Sequence, residues 1–200
     1  MSADHVADSL LSAPAVRHTA QPWPIVIAAA ADPDRLRAIS EYDLNSPELR
    51  DCLDLVTART SAQLGLPTSL VTLVLDSAQL VAGSTGLRGW IRRAGGTPVE
   101  WSFCAHVVAS GLPYTVEDAA HDAVQRENPL ALLDGIASYA GVPVTLPSGH
   151  VAGAHCVIGS EPRSFTTADL LVLEHAAREV VEVLERFRTP APDPADITVR

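Results

Sequence analysis

The run IASYAGVPVTL (Ile136 to Leu146), the tetrapeptide PSGH (Pro147 to His150) and the run VAGAHCVI (Val151 to Ile158) decide the fold. Both runs are apolar and rich in β-favouring residues, and the tetrapeptide between them carries proline and glycine where a hairpin turn needs them. Just beyond, Thr166-Thr167-Ala168-Asp169 has the spacing of a capping box, so a helix opens there and runs to about Arg188. Along it Leu170, Leu173, Ala177, Val180, Leu184 and Phe187 recur in steps of three and four, a heptad-like seam. Two readings of that seam stay open: a helix laid on the sheet, or a helix whose far end pairs with the same helix of a second chain.

Working outward, Leu70 to Leu75 and Gln79 to Ser84 flank the turn Asp76-Ser77 and predict a second hairpin. Before it, Asp32-Pro33 opens a short helix and Ser46-Pro47-Glu48 a longer one, because serine caps, proline suits the first turn and an acid favours the positive helix end. Gly65 and Pro67 stop the longer helix, and Leu49, Cys52, Leu53, Val56, Thr60 and Leu64 form its buried stripe, which places Cys52 in the core. In the middle, an irregular glycine-containing segment with Trp90 precedes Ser102, whose hydroxyl caps a helix from Phe103 to Ser110 closed by Gly111. Tyr114 to Val116 reads as a short strand, and Ala119 to Leu133 as a helix broken at Asn128-Pro129. The sum is an α+β domain on a mostly antiparallel sheet.

Two hundred residues, 47% apolar and 19% charged, suit one domain with extensions. Residues 1–31, with Trp23 between two prolines, read as a loose arm; 32–188 form the domain; 189–200, broken by prolines, form a flexible tail. The net charge is −10 and every basic residue is arginine. An acidic surface repels phosphate backbones, which excludes nucleic acid and anionic membrane as direct partners. The most apolar early stretch, Ile25 to Ala31, is too short to span a bilayer, and no signal-peptide pattern precedes it, so a cytoplasmic chain is expected. Cys52, Cys104 and Cys156 are too few and scattered for a disulfide framework and are expected as thiols. Abundant alanine and arginine without lysine point to a GC-rich, bacterial genome.

Five segments in order carry a resemblance: Ser102-Phe103-Cys104-Ala105-His106, Val116-Glu117-Asp118-Ala119, Glu127-Asn128-Pro129-Leu130, Tyr139-Ala140-Gly141-Val142-Pro143-Val144, and Gly153-Ala154-His155-Cys156-Val157-Ile158. Together they resemble a bacterial GAF domain of the stand-alone or sensor-kinase-associated type, over roughly Arg35 to Phe187. The resemblance implies a profilin-like antiparallel sheet of about six strands, with the N- and C-terminal helices packed on one face and a ligand pocket on the other. It also implies a sensory or regulatory homodimer without catalysis, which binds a small ligand or acts through protein contacts alone and signals to a partner protein through dimer helix packing. Trp101, Phe103, Cys104, His106, Asp118, Asn128, Tyr139 and His155 are its candidate ligand-binding residues. Departures are present: Ala154-His155 replaces a threonine and leucine common in relatives, and Gly159 stands where an aspartate often follows. Neither the paired motif of cyclic-nucleotide binders nor the cysteine-histidine dipeptide of bilin binders occurs.

Cys104, in a first helical turn, feels the positive end of the macrodipole, which favours the thiolate. That supports an alternative: a thiol redox protein in which Cys104 is oxidised and condenses with Cys156 or a small thiol. A related family of the same fold reduces free methionine sulfoxide and has a cysteine near this position, but the resolving cysteine it needs is missing from His121-Asp122-Ala123-Val124. Cys104, His106, His155 and Cys156 have zinc-ligand chemistry, yet neighbouring strand residues point to opposite faces and cannot share one ion, so no metal site is assigned. No cofactor is required by the residues; family precedent allows haem on a single axial histidine, His106 or His155. A phosphate loop, a serine nucleophile elbow and paired catalytic carboxylates are all missing from the sequence.

Overall fold

A computed structural model describes residues 20–189. The elements, in order, are α1 (Trp23–Ala30), α2 (Pro33–Ser40), α3 (Pro47–Leu64), β1 (Thr68–Val74), β2 (Ala78–Thr85), α4 (Gly89–Ala94), β3 (Gly96–Pro98), α5 (Phe103–Ser110), β4 (Tyr114–Val116), α6 (Pro129–Asp134), β5 (Ser138–Thr145), β6 (Val151–Gly159) and α7 (Thr167–Glu185). Six strands form one sheet in the order β3-β2-β1-β6-β5-β4. Every neighbouring pair is antiparallel.

Local chemistry sets the helix limits. The Ser46 hydroxyl accepts from the Leu49 amide at 3.1 Å, and Gly65 leaves α3 at φ +63°, a conformation that costs glycine little. At α7 the predicted capping box is present: the Asp169 amide donates to Thr166 Oγ1 at 3.2 Å, and the Thr166 amide donates to Asp169 Oδ2 at 2.8 Å. The Ser102 hydroxyl caps α5 by accepting from Ala105 at 3.0 Å.

Strand alternation sends side chains into two cores. Val71, Leu73, Ala140, Val142 and Val157 face α3 and α7, which pack together on one side of the sheet. Leu70, Val74, Tyr139, Ala154 and Cys156 face the other side, where α1 and α5 lie. The seam of α7 is spent on the first core: Leu170, Leu173, Ala177, Val180 and Leu184 are all buried against the chain's own sheet and α3. Cys52 is only half-buried at the edge of that core.

The loose arm expected over 1–31 needs correction from Trp23 on, because α1 is a helix packed on α5 with Val26 and Ala30 fully buried. Pro24 falls within its first turn, where the missing amide hydrogen costs nothing. Arg35 of α2 ties this helix down. Its guanidinium is buried and donates to the carbonyls of Ala29 (3.1 Å) and Ala30 at the end of α1, and of Ala152 (3.3 Å) and Val151 (3.5 Å) in β6. It thereby satisfies carbonyls that a helix end leaves open. The remaining arm residues and the tail from Pro190 lie outside the described residues. The irregular middle segment holds the short elements α4 and β3.

Where the domain begins and ends, the chain runs alongside itself. Tyr42 and Arg188 form an antiparallel bridge, the Asp43 amide donates to Phe187 O at 2.9 Å, and the Thr189 amide donates to Glu41 O at 2.7 Å. Arg188 pairs with Glu41, and the Tyr42 hydroxyl donates to Glu185. Among the described residues no helix is long and apolar enough to cross a membrane.

Candidate functional site

On the α5 side of the sheet, a cavity of about 230 Å³ lies between the strands and the segments around α4 and α6. Leu70, Leu87, Ile91, Phe103, Leu130, Tyr139 and Ile158 make most of its wall apolar. Polar groups enter it at few points: Gln79 and Thr97 from the β2–β3 edge, Arg88 and Asp134 where it meets solvent. Gln79 is buried and held, since its Oε1 accepts from the Ser102 hydroxyl that also caps α5. Thr97 is buried too, yet its hydroxyl has no hydrogen-bond partner among the described residues. Asp134 accepts from Trp90 Nε1 at 2.8 Å, which ties α6 to α4 beside the opening.

Two thiols and a phenol meet on the cavity wall. Cys104 Sγ lies 3.8 Å from Cys156 Sγ and accepts from the Tyr139 hydroxyl at 3.2 Å. All three residues line the cavity and all are buried. Burial pushes the Cys104 thiol up, but hydrogen bonds from Cys156, Thr72, Tyr139 and the backbone outweigh it, leaving Cys104 below the ordinary thiol range. Its hydrogen bond to Cys104, together with burial, holds Cys156 well above that range. Burial likewise holds Tyr139 in its phenol form.

Against this geometry the sequence matches the model of the GAF domain over residues 48–184. The chain belongs to the GAF domain family.

Solved GAF folds superpose on it at low identity. The GAF domain of an Acinetobacter phosphoenolpyruvate-protein phosphotransferase is 21% identical, covering 76% of this chain and 92% of that one at a TM-score of 0.57. A type II free methionine-R-sulfoxide reductase from Thermoplasma acidophilum is 14% identical, covering 74% and 99% at 0.59. The blue-light absorbing form of the Thermosynechococcus elongatus PixJ GAF domain is 16% identical, covering 78% and 90% at 0.53. Such identities show a shared fold, and GAF domains of this fold commonly serve as sensory parts of signalling proteins. No curated protein sequence matches the chain.

Of the residues expected around the GAF pocket, Phe103, Cys104 and Tyr139 line the cavity, joined by Cys156. His155 does not. It points to the opposite face of β6, where its Nε2 meets Thr60 Oγ1 of α3 at 2.9 Å, as alternation along the strand requires once Cys156 faces the cavity. His106 also misses the cavity; its ring is buried between Trp23 (centroids 5.0 Å apart) and Tyr114 (5.1 Å), with neither nitrogen partnered among the described residues. Burial, only partly opposed by the Asp122 carboxylate, drives His106 down to about 4.

Asn128 is a structural cap. Its side chain accepts from the Leu130 amide at 2.9 Å, and its Nδ2 donates to Trp101 O (3.0 Å) and Gln125 Oε1 (2.7 Å). Gln125 passes the chain on to the Tyr114 hydroxyl at 3.2 Å. Asp118 pairs with His121 at 2.8 Å, and Trp101 stacks edge-on against Trp90 at 6.1 Å; both stand outside the cavity wall. Gln79, Thr97 and Asp134 escaped the sequence reading, and Arg88 stood out there only as part of a basic island with Arg92 and Arg93, since only the fold brings such distant polar residues to one wall.

Proposed function

We propose that the chain is a non-enzymatic sensory or regulatory GAF domain that takes a small molecule into the cavity beside α4 and α6 and reports its presence to a signalling protein. The observation that carries this reading is the Thr97 hydroxyl. A buried hydroxyl without a partner costs about 1–3 kcal/mol, and a ligand with one well-placed polar group removes that cost. The apolar wall asks for a largely apolar body of modest size, and Arg88 at the opening favours an anionic end.

Signalling proceeds in this reading through helix packing between two copies. With the seam of α7 buried within the chain, the pairing face is the outer surface of α3 and α7, where Leu55 is 66% exposed and Leu171 is 47% exposed. Ligand binding shifts that packing only if the two packed states bind the ligand unequally.

Native mass spectrometry of freshly purified protein, with an absorption spectrum, reads oligomeric state and retained ligand together. The expected result is a dimer carrying extra mass, or a dimer whose melting temperature rises with members of a panel of small organic acids. Thr97→Val is expected to abolish that rise without lowering the stability of the ligand-free protein. A bare monomer indifferent to the whole panel overturns the reading.

A further inference from the structure

The cavity wall holds chemistry that ligand binding does not call for. Cys104 and Cys156 are 52 positions apart in sequence and come from different elements, α5 and β6, yet their sulfurs are 3.8 Å apart. The Tyr139 hydroxyl is aimed at one of them from β5. Both thiols line the same cavity, which gives a small reagent a path to them that the protein surface does not, since each residue is 2% exposed or less.

We propose that Cys104 and Cys156 form an oxidisable dithiol, which a small hydroperoxide entering the cavity converts into an intramolecular disulfide. The sulfurs need only close from 3.8 Å to a bond of about 2.05 Å.

The two thiols have distinct parts. Cys104 stands in the first turn of α5, where the helix favours its thiolate, and the Tyr139 O–H stabilises the same charge. Its depressed pKa agrees with that placing, while the elevated pKa of Cys156 keeps the second sulfur protonated. The Cys104 thiolate attacks one oxygen of the hydroperoxide. An S–O bond forms, the O–O bond breaks, and the departing oxygen takes a proton and leaves as an alcohol, or as water when the reagent is hydrogen peroxide. Cys156 then attacks the sulfenic sulfur. The S–S bond forms, the S–O bond breaks, and the hydroxyl leaves as water with the proton given up by Cys156. Two electrons pass from the thiol pair to the hydroperoxide.

The proposal uses the cavity as a route and does not depend on the identity of a resident ligand. Cys52 is the internal control, because it lies half-buried beside the α3–α7 core and off the cavity wall.

The test treats the whole chain with hydrogen peroxide or tert-butyl hydroperoxide, unfolds it in acid, alkylates remaining thiols and maps the peptides without reduction. The expected product has lost about 2 Da relative to the dithiol, takes up one alkyl group, at Cys52, and yields a linked Cys104–Cys156 peptide that dithiothreitol separates. Cys52→Ser is expected to behave the same way, with no alkylation. Cys156→Ser is expected to stop at a sulfenic acid on Cys104 that a dimedone probe captures. Three alkylatable cysteines after treatment, a link that includes Cys52, or over-oxidation of Cys104 beside a free Cys156 each overturn the proposal. The wild-type map decides by itself, so the result survives a variant that fails to fold.

Discussion

His155 of β6 and Thr60 of α3 meet across 2.9 Å in the middle of the helix-facing core, both fully buried. The contact fastens the strand that carries Cys156 to the helix layer behind it. Thr60→Val keeps the shape and removes the hydroxyl, which leaves Nε2 of His155 buried without a partner. The expected loss is about 1–3 kcal/mol in urea denaturation, with most of it recovered by Thr60→Ser. Equal stability of the valine and threonine proteins would show that the contact contributes nothing.

Stability should fall as the solution is acidified from pH 6.5 toward 4. Burial lowers both His106 and His155 from 6.5 to about 4, so in that window the unfolded chain binds protons that the folded chain refuses. Well above pH 6.5 both states hold neutral rings and protonation makes no difference to stability. Below it, each histidine can withdraw on the order of 3 kcal/mol by the time both states are protonated. His106→Phe keeps a ring between Trp23 and Tyr114 and removes one of the two protons. Its denaturation free energy, followed from pH 7.5 to 4, is expected to decline less steeply than that of the wild type; parallel curves would refute the assignment.

Arg35 joins α1 to β6 through backbone carbonyls alone. Arg35→Met takes this donor away from all four carbonyls, of which those of Ala30 and Ala152 are buried, with an expected cost of about 2–4 kcal/mol. Arg35→Lys is expected to recover little, because an ammonium cannot reproduce the fork that spans two elements. Faster amide hydrogen exchange in residues 23–30 than in β5 is the accompanying signature, since the detached piece is α1.

Gly141 lies directly under the ring it supports. A Cβ there would fall 2.1 Å from the Tyr139 hydroxyl oxygen, so the ring of a Gly141→Ala protein has to shift away from Cys104. The expected cost is about 1–3 kcal/mol of overpacking. Sulfenic acid formation at Cys104 should slow as well, readable with a dimedone probe in a Cys156→Ser background. An unchanged melting temperature and an unchanged rate would mean that the ring does not occupy this position in solution.

The hairpins, the capping box of α7 and the Ser102 cap were legible because each rests on neighbours in sequence, whereas the central β1–β6 pairing joins residues 80 or more positions apart and the sheet of about six strands was expected only from the resemblance. Helix α1 was not: Pro22 and Pro24 read as breakers, and the apolar run Ile25-Val26-Ile27 shows no polar face. Its stability comes from α5 and Arg35, which are distant in sequence. Strand β3, with only Gly96, Thr97 and Pro98, is a strand only because β2 pairs with it. For the site, alternation already set His155 against Cys156, and Asn128-Pro129 already had the pattern of a cap followed by a first-turn proline. Those two rules outrank position within a family motif, and applied consistently they would have removed both residues from the pocket.

The bridge between Tyr42 and Arg188 fixes how the domain answers mechanical load. Residues 41 and 189 are neighbours. A pull applied at residues 41 and 189 themselves meets the Glu41–Thr189, Tyr42–Arg188 and Asp43–Phe187 contacts one after another, like the teeth of a zipper, before it reaches the sheet.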